Sequence, residues 1–191
     1  MDLGRTILRG TVGPLMIGHG TQKLFGWFDG HGPEGTGGFF ESLGLRPGKR
    51  HAMSAGASET LGGALLTLGA LTPLASTLLS GVMMTAIRKV HFKNGPWVTG
   101  GGYEYNLVLI AATAALVETG PGRPSVDEAL FPRLKGNGWV LASIAAAAAG
   151  SWLATERFNE AAPEAGPAEE PALEREPRFK REPAEAPADV T

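Results

Sequence analysis

Apolar and small residues run in five long blocks along this chain, and the stretches between them hold most of the charge. The blocks span roughly Leu3–Phe25, Ala52–Leu71, Leu74–Phe92, Tyr103–Val117 and Gly138–Leu153. Each is near the ~17–20 residues that a helix needs to cross a hydrocarbon core. Helices are predicted throughout, because backbone groups in lipid must be satisfied within their own segment. Only Thr72–Pro73 joins the second block to the third, which predicts a tight antiparallel hairpin with Pro73 in the first turn of the third helix. LGGALLTLGALTPLASTLLSGVMMTAI and YNLVLIAATAALV carry no charge between them. Neither offers the polar face of a water-exposed helix, so an all-α membrane bundle is predicted over a water-soluble one. The fifth block, WVLASIAAAAAGSWLA, is bounded by Trp139 and Trp152, as an interfacial belt would be. Alanine is only weakly lipophilic, so a peripheral position is the alternative to a fifth crossing.

Composition alters this picture at one place. From Asn159 onward the chain is Ala, Glu, Pro and Arg, with too little apolar content to offset its ordering entropy, and 159–191 is predicted to be a disordered tail. The expected organisation is a four-helix membrane bundle over 1–127, a loop and additional Ala-rich fifth helix over 128–158, and the tail. Net charge is -2, with basic residues dispersed, so nucleic acid is not an expected partner. Cysteine is absent from the sequence, which excludes disulfides, thiolate metal sites and thiol catalysis. Arg5 and Arg9 lie inside the first block and no small-residue cleavage site follows, so this segment does not read as a cleavable signal.

The polar residues within the blocks carry the candidate chemistry. At ~100° per residue, Arg5, Arg9, His19 and Lys23 share an arc of roughly 80° on the first helix. A charge at the bilayer centre costs at least ~2.5–3.5 kcal/mol, so this arc is expected to face the bundle interior or a wet cavity. Arg5 and Lys23, near the ends, have the alternative of snorkelling to the headgroups. Glu59 is placed about 10 Å inside the second helix and His19 about 9 Å inside the first, at matched depth in an up-down bundle. A buried carboxylate calls for a partner, and His19 and Lys23 are the candidates; a protonated, neutral Glu59 is the alternative. At the same end Arg88 and His91 close the third helix, while Glu104 and Asn106 open the fourth. Glu104 suits a helix N-terminus, within reach of Arg88. A polar cluster fed by all four helices is the expectation, ringed by aromatics such as Trp27, Phe92, Trp97 and Tyr103 that also read as an interfacial belt.

Other motifs lead nowhere further. GGGYEY lacks the Lys-Ser/Thr of a phosphate loop. His19 with His91 is a thin basis for haem ligation, and two histidines with one or two acids are only a partial metal-ligand set. No metal is expected.

The runs GPLMIGHGTQKLFGWFDGHGPEGTGGFFESLGL, ASETLGGALLTLGALTPLASTLLSGVMMTAI, VHFKNG and GGYEYNLVLIAATAALVETGPGRPSVD resemble the DoxX family of small integral membrane proteins, in unbroken order from Leu3 to Asp127. The resemblance implies a four-helix membrane protein in the plasma membrane of a prokaryote. It places His19, Gln22, Lys23, Glu59, His91, Glu104 and Tyr105 within the family's recurrent motifs, beside the Arg88 singled out above. Founding archaeal relatives are subunits of a thiosulfate:quinone oxidoreductase, and a mycobacterial relative sits in a membrane-associated oxidoreductase complex. The fifth block and the charged tail depart from that pattern.

Three functions emerge as expectations. A quinone-interacting subunit of a membrane oxidoreductase complex would use the cluster at the quinone head and an apolar groove for its tail. Without cysteine, nucleotide loop or metal site it would need a redox partner subunit to supply electrons. The alternative is a non-enzymatic membrane adaptor that anchors soluble redox or stress-response enzymes through its tail. A small-solute carrier ranks below both, since no inverted repeat is visible. Membrane lipid is the constant partner, and a homo-oligomer is left open. Basic residues near Lys23, Arg46, Lys49, Arg50, Arg88, Lys89 and Lys93 outnumber those near Arg5, Arg9, Arg123, Arg133 and Lys135, which favours the first group as cytoplasmic.

Overall fold

The computed structural model describes residues 2–161. Among them are seven α-helices and no strand: α1 (Leu3–Phe25), α2 (Gly32–Ser42), α3 (Gly48–Leu68), α4 (Thr72–Ala86), α5 (Glu104–Thr119), α6 (Val126–Leu130) and α7 (Asn137–Trp152). Wider π turns extend α4 through Ile87–His91 and α7 through Leu153–Arg157. The five predicted blocks correspond to α1, α3, α4, α5 and α7. The tail prediction covers residues of which 162–191 lie outside the described part.

Two helices escape the apolar pattern. In α2, four of eleven residues are glycine, GPEGTGGFFES, a poor intrinsic helix former. Tertiary contact overrides propensity there. A Cβ on Gly37 would stand 2.8 Å from the Lys49 backbone nitrogen, so glycine is what lets α2 lie against the start of α3. The short α6 begins at Ser125, whose hydroxyl accepts from the Glu128 N–H as an N-cap.

The long helices alternate in direction. Arg5 on the first turn of α1 donates to the Thr119 carbonyl at the end of α5 (2.6 Å), and Arg9 donates to the Thr67 carbonyl at the end of α3. At the other end Lys23 of α1 meets Glu59 of α3. α4 lies centrally, packed against α3, α5 and α7. Met16, Leu66, Ala75, Leu79, Met83, Leu109 and Leu116 from α1, α3, α4 and α5 form the apolar core. α7 runs parallel to α4 along a seam of small residues: Ser143 donates to Pro73 O, Thr85 to Ser151, and Arg88 to Thr155. Such small, hydroxyl-bearing seams let two helices approach closely. The weakest of the five helix predictions from composition is thus firmly docked. It is also the one described helix, Asn137–Arg157, that is long and apolar enough by itself to cross a membrane.

α1 and α3 touch backbone to backbone. Cβ atoms built on Gly20 and Gly63 would stand 2.6 Å from the carbonyl oxygens of Gly56 and Gly13, respectively. The hydroxyls of Thr60 and Thr67 fill the notches left by Gly20 and Gly13.

The hairpin end is tied by side chains from distant segments. Asp127, only 2% exposed, accepts from the Leu71 N–H (2.7 Å), the Thr72 N–H (2.8 Å) and the Thr72 hydroxyl (2.6 Å). Its carboxylate thereby serves as the N-terminal anion of α4, where free N–H groups and the helix dipole both favour negative charge. Hydrogen bonds to charged groups contribute ~1.5–3 kcal/mol. Asp127→Asn keeps one acceptor oxygen, so a loss of about 1.5 kcal/mol in detergent-phase unfolding is expected. An unchanged midpoint would show that the carboxylate does not hold the hairpin.

Asp2, half-exposed ahead of α1, accepts from the Arg123 N–H (2.9 Å) and from the Arg5 guanidinium (2.5 Å). The Arg123 N–H first, and then Arg5, hold its carboxyl below the ordinary value of 3.8. A depressed folded-state pKa gives stability that is present above the unfolded value and lost as pH falls through the folded one. The contribution of Asp2 is therefore complete at neutral pH and disappears below 3.8. Asp2→Asn should lower the neutral midpoint slightly, leave the midpoint below pH 3.8 nearly unmoved, and so flatten that acid segment of the unfolding curve.

Candidate functional site

The structure realises the predicted carboxylate–base contact, with Lys23 as the base. Lys23 Nζ lies 2.6 Å from Glu59 Oε2, and the Glu59 side chain is 4% exposed. The same ammonium donates to the His19 carbonyl at 3.2 Å. Helical side chains lean toward the N-terminus, so Lys23, two residues from the end of α1, reaches back over the preceding turn to Glu59. The glycine contact of α1 with α3 at Gly20 and Gly56 brings the helices near enough for that reach.

Two parts of the expected geometry change. α3 begins at Gly48 rather than Ala52, so Glu59 lies eleven residues in, about 16 Å along the axis and near mid-helix. His19 points outward: its side chain is exposed, and its backbone oxygen rather than its imidazole joins the pair.

The remaining candidates do not join one four-helix cluster. Gln22 donates to the Phe28 carbonyl (3.2 Å), closing the turn after α1. Arg88 pairs with Glu156 (2.9 Å) and donates to Thr155, and so binds α7 instead of Glu104. Glu104 accepts from the Val98 N–H (2.7 Å) and shapes its own loop. His91 Nδ1 lies 2.7 Å from the Gly101 carbonyl. Tyr105 is exposed, and Asn106 is buried with its amide on the Met83 sulfur. Arg88 departs from its expected partner because α7 runs parallel to α4 and its final π turn sets Thr155 and Glu156 beside the guanidinium. Arg9, 6% exposed, faces the bundle interior as expected and donates to the Thr67 and Pro124 carbonyls, while the half-exposed Arg5 donates to the Thr119 carbonyl at the end of α5. Among the described residues no group of three or more His, Asp or Glu side chains could hold a metal ion.

Sequence reasoning passes over Asp127, Glu156 and Asn159. For Asp127 a signal exists: an acid two residues after an N-cap serine, inside a Gly/Pro turn. Asn159 receives the Arg46 N–H on its side-chain oxygen (2.5 Å) and donates to the Gly44 carbonyl (2.8 Å), a contact no local pattern announces.

Lys23 and Glu59, with the glycines that bring them together, lie inside a stretch, residues 4–92, that matches the family model of DoxX. Residues 4–92 of this chain belong to the DoxX family. DoxX proteins are membrane-associated, in keeping with the apolar α7. The DoxX match takes in α1 to α4 and stops at Phe92, short of the Asp127 limit expected from the sequence. No curated protein and no solved structure matches the chain.

Proposed function

We propose that this DoxX protein is a multi-pass membrane protein with α1, α3, α4, α5 and α7 as its spans, and that it serves as a quinone-interacting subunit of a membrane oxidoreductase. The observation that carries the reading is the Lys23–Glu59 pair: a nearly fully buried carboxylate near mid-helix, with the exposed His19 one turn away on the same face of α1. Large apolar side chains, including Leu3, Ile7, Leu15, Leu61, Leu68, Leu107, Val108 and Leu141, stand exposed on the outer faces of these helices, where lipid would cover them. A quinone head arriving through lipid would meet His19 as hydrogen-bond donor, with Lys23 and Glu59 behind it as proton-holding groups. Electrons would come from a redox partner subunit.

Copurification tests the reading. Protein extracted into nanodiscs should carry quinone detectable in its organic extract, and His19→Gln should reduce that content severalfold without changing the unfolding midpoint. Quinone content equal to that of an unrelated membrane protein would remove the reading. For the spans, reporter fusions at Asn159 and in the Gly69–Leu71 turn should report opposite sides of the membrane.

The adaptor reading has one observation in its favour. Asn159 and the Arg88–Glu156 pair fix the point where the C-terminal segment leaves the bundle, at the end that carries Lys23. A quinone-free protein that still retains soluble enzymes through residues 162–191 would favour it.

A further inference from the structure

The end of the bundle where α7 finishes carries basic residues on both sides of the departing chain. Arg46 lies two residues ahead of α3 and Arg50 in its first turn, and Lys89 and Lys93 lie on and just after the π turn of α4. All four are exposed or half-exposed, and none makes an ion pair among the described residues. Two other cations at the same end are neutralised, Lys49 by Glu34 and Arg88 by Glu156, while Arg157 on the departing segment is also unpaired among the described residues. Residues 156–160 run between the two basic groups. Glu156 holds Arg88, Asn159 is clasped by Arg46 and Gly44, and the Glu160 N–H donates to the Arg46 carbonyl (2.8 Å).

Beyond this clasp the chain turns acidic. Residues 162–174 contain Glu164, Glu169, Glu170 and Glu174 and no lysine or arginine; the first base after them is Arg175. We propose that this acidic segment docks within its own chain on the basic surface formed by Arg46, Arg50, Lys89 and Lys93. Glu164 is four residues from the Glu160 contact, so the tether is short. A short tether holds the segment at an effective concentration on the order of millimolar, which lets individually weak exposed ion pairs act together. The like-signed glutamates and the unneutralised bases each relieve the other's repulsion. A docked tail also screens a cationic face that would otherwise draw anionic headgroups over the bundle end.

The test uses the full chain in phosphatidylcholine nanodiscs and a glutamate-specific protease, with Glu185 in the same tail as internal reference. At low salt, cleavage after Glu164, Glu169 and Glu174 should run about tenfold slower than after Glu185, the protection that a docked fraction near nine-tenths gives when opening is fast relative to cleavage. Protection should vanish in half-molar salt, where exposed pairs are screened, and in the variant Arg46→Gln/Arg50→Gln/Lys89→Gln/Lys93→Gln. That variant removes no pair that holds the described fold, so an unchanged unfolding midpoint verifies that the loss is local. Equal cleavage at all sites in the unaltered protein overturns the proposal. So does protection that survives the fourfold variant, and so does protection abolished by adding phosphatidylglycerol to the nanodisc, which would make lipid the occupant of the surface.

Discussion

Glu59→Gln should lower the stability of the protein by about 3 kcal/mol, toward the lower end of the ~3–5 kcal/mol typical when one partner of a buried pair is removed. The glutamine keeps the shape of the side chain and leaves the Lys23 ammonium with only the His19 carbonyl as a partner. Lys23 is 21% exposed and close to the end of α1, so it can swing outward and recover part of the loss, which is why the lower end is expected. The diagnostic is the double change. Lys23→Met with Glu59→Gln leaves no orphaned charge and should regain most of the lost stability, giving a coupling energy well above the ~0.5 kcal/mol of independent sites. His19→Gln with Glu59→Gln should give no such recovery, because the His19 side chain is not the counter-ion. If Glu59→Gln leaves the unfolding midpoint and quinone content unmoved, the pair is idle and the redox reading loses its centre.

Gly63→Leu should cost about 3 kcal/mol or more, at or beyond the top of the ~1–3 kcal/mol range of overpacked sites. The first added carbon would already meet the Gly13 carbonyl oxygen at 2.6 Å and the Ile17 nitrogen at 2.8 Å. Both are backbone atoms of a helix, which no rotamer change can clear, so α1 and α3 must part. Parting them lengthens the Lys23–Glu59 contact, so bound quinone should fall along with stability. Gly18→Ala on α1 is the control. Nothing lies within 4 Å of the new Cβ there, and alanine is the better helix former by ~0.5–1 kcal/mol. A midpoint that falls as far for Gly18→Ala as for Gly63→Leu would mean that the cost lies in helix insertion rather than in the α1–α3 contact.

Much of the helical framework was legible because its signals are local. Uncharged runs long enough for a helix, a Pro one residue inside α4, and left-handed glycines at Gly26 and Gly69 behind α1 and α3 mark where helices stop and start. The pairing of a base on α1 with Glu59 was legible too, since a buried carboxylate restricts its own neighbourhood. The hidden features depended on contacts between residues far apart in the chain. Gly37 is helical because α3 lies against it, Arg88 turns to Glu156 because α7 runs parallel to α4, and Asp127 is buried because α4 offers it three donors. Depth along a helix misled for a related reason: the Lys49 and Arg50 pair at the head of α3 reads as a boundary by hydropathy, yet the helix passes through both.

The ties at the hairpin end set an order of closure during synthesis. Arg5 and Arg9 emerge first from the ribosome, yet their carbonyl partners at Thr119 and Pro124 are made more than a hundred residues later, and Asp127 reaches back to a hairpin completed some fifty residues before it. Until then α1 and α3 have each other through their glycines, Lys23–Glu59 and the Arg9–Thr67 contact, while Arg5 and the turn at Leu71 wait unsecured. A nascent chain halted at Phe92, where the family match ends, would contain both halves of the ion pair and the Arg9–Thr67 tie, but none of the latch made by Thr119, Pro124 and Asp127.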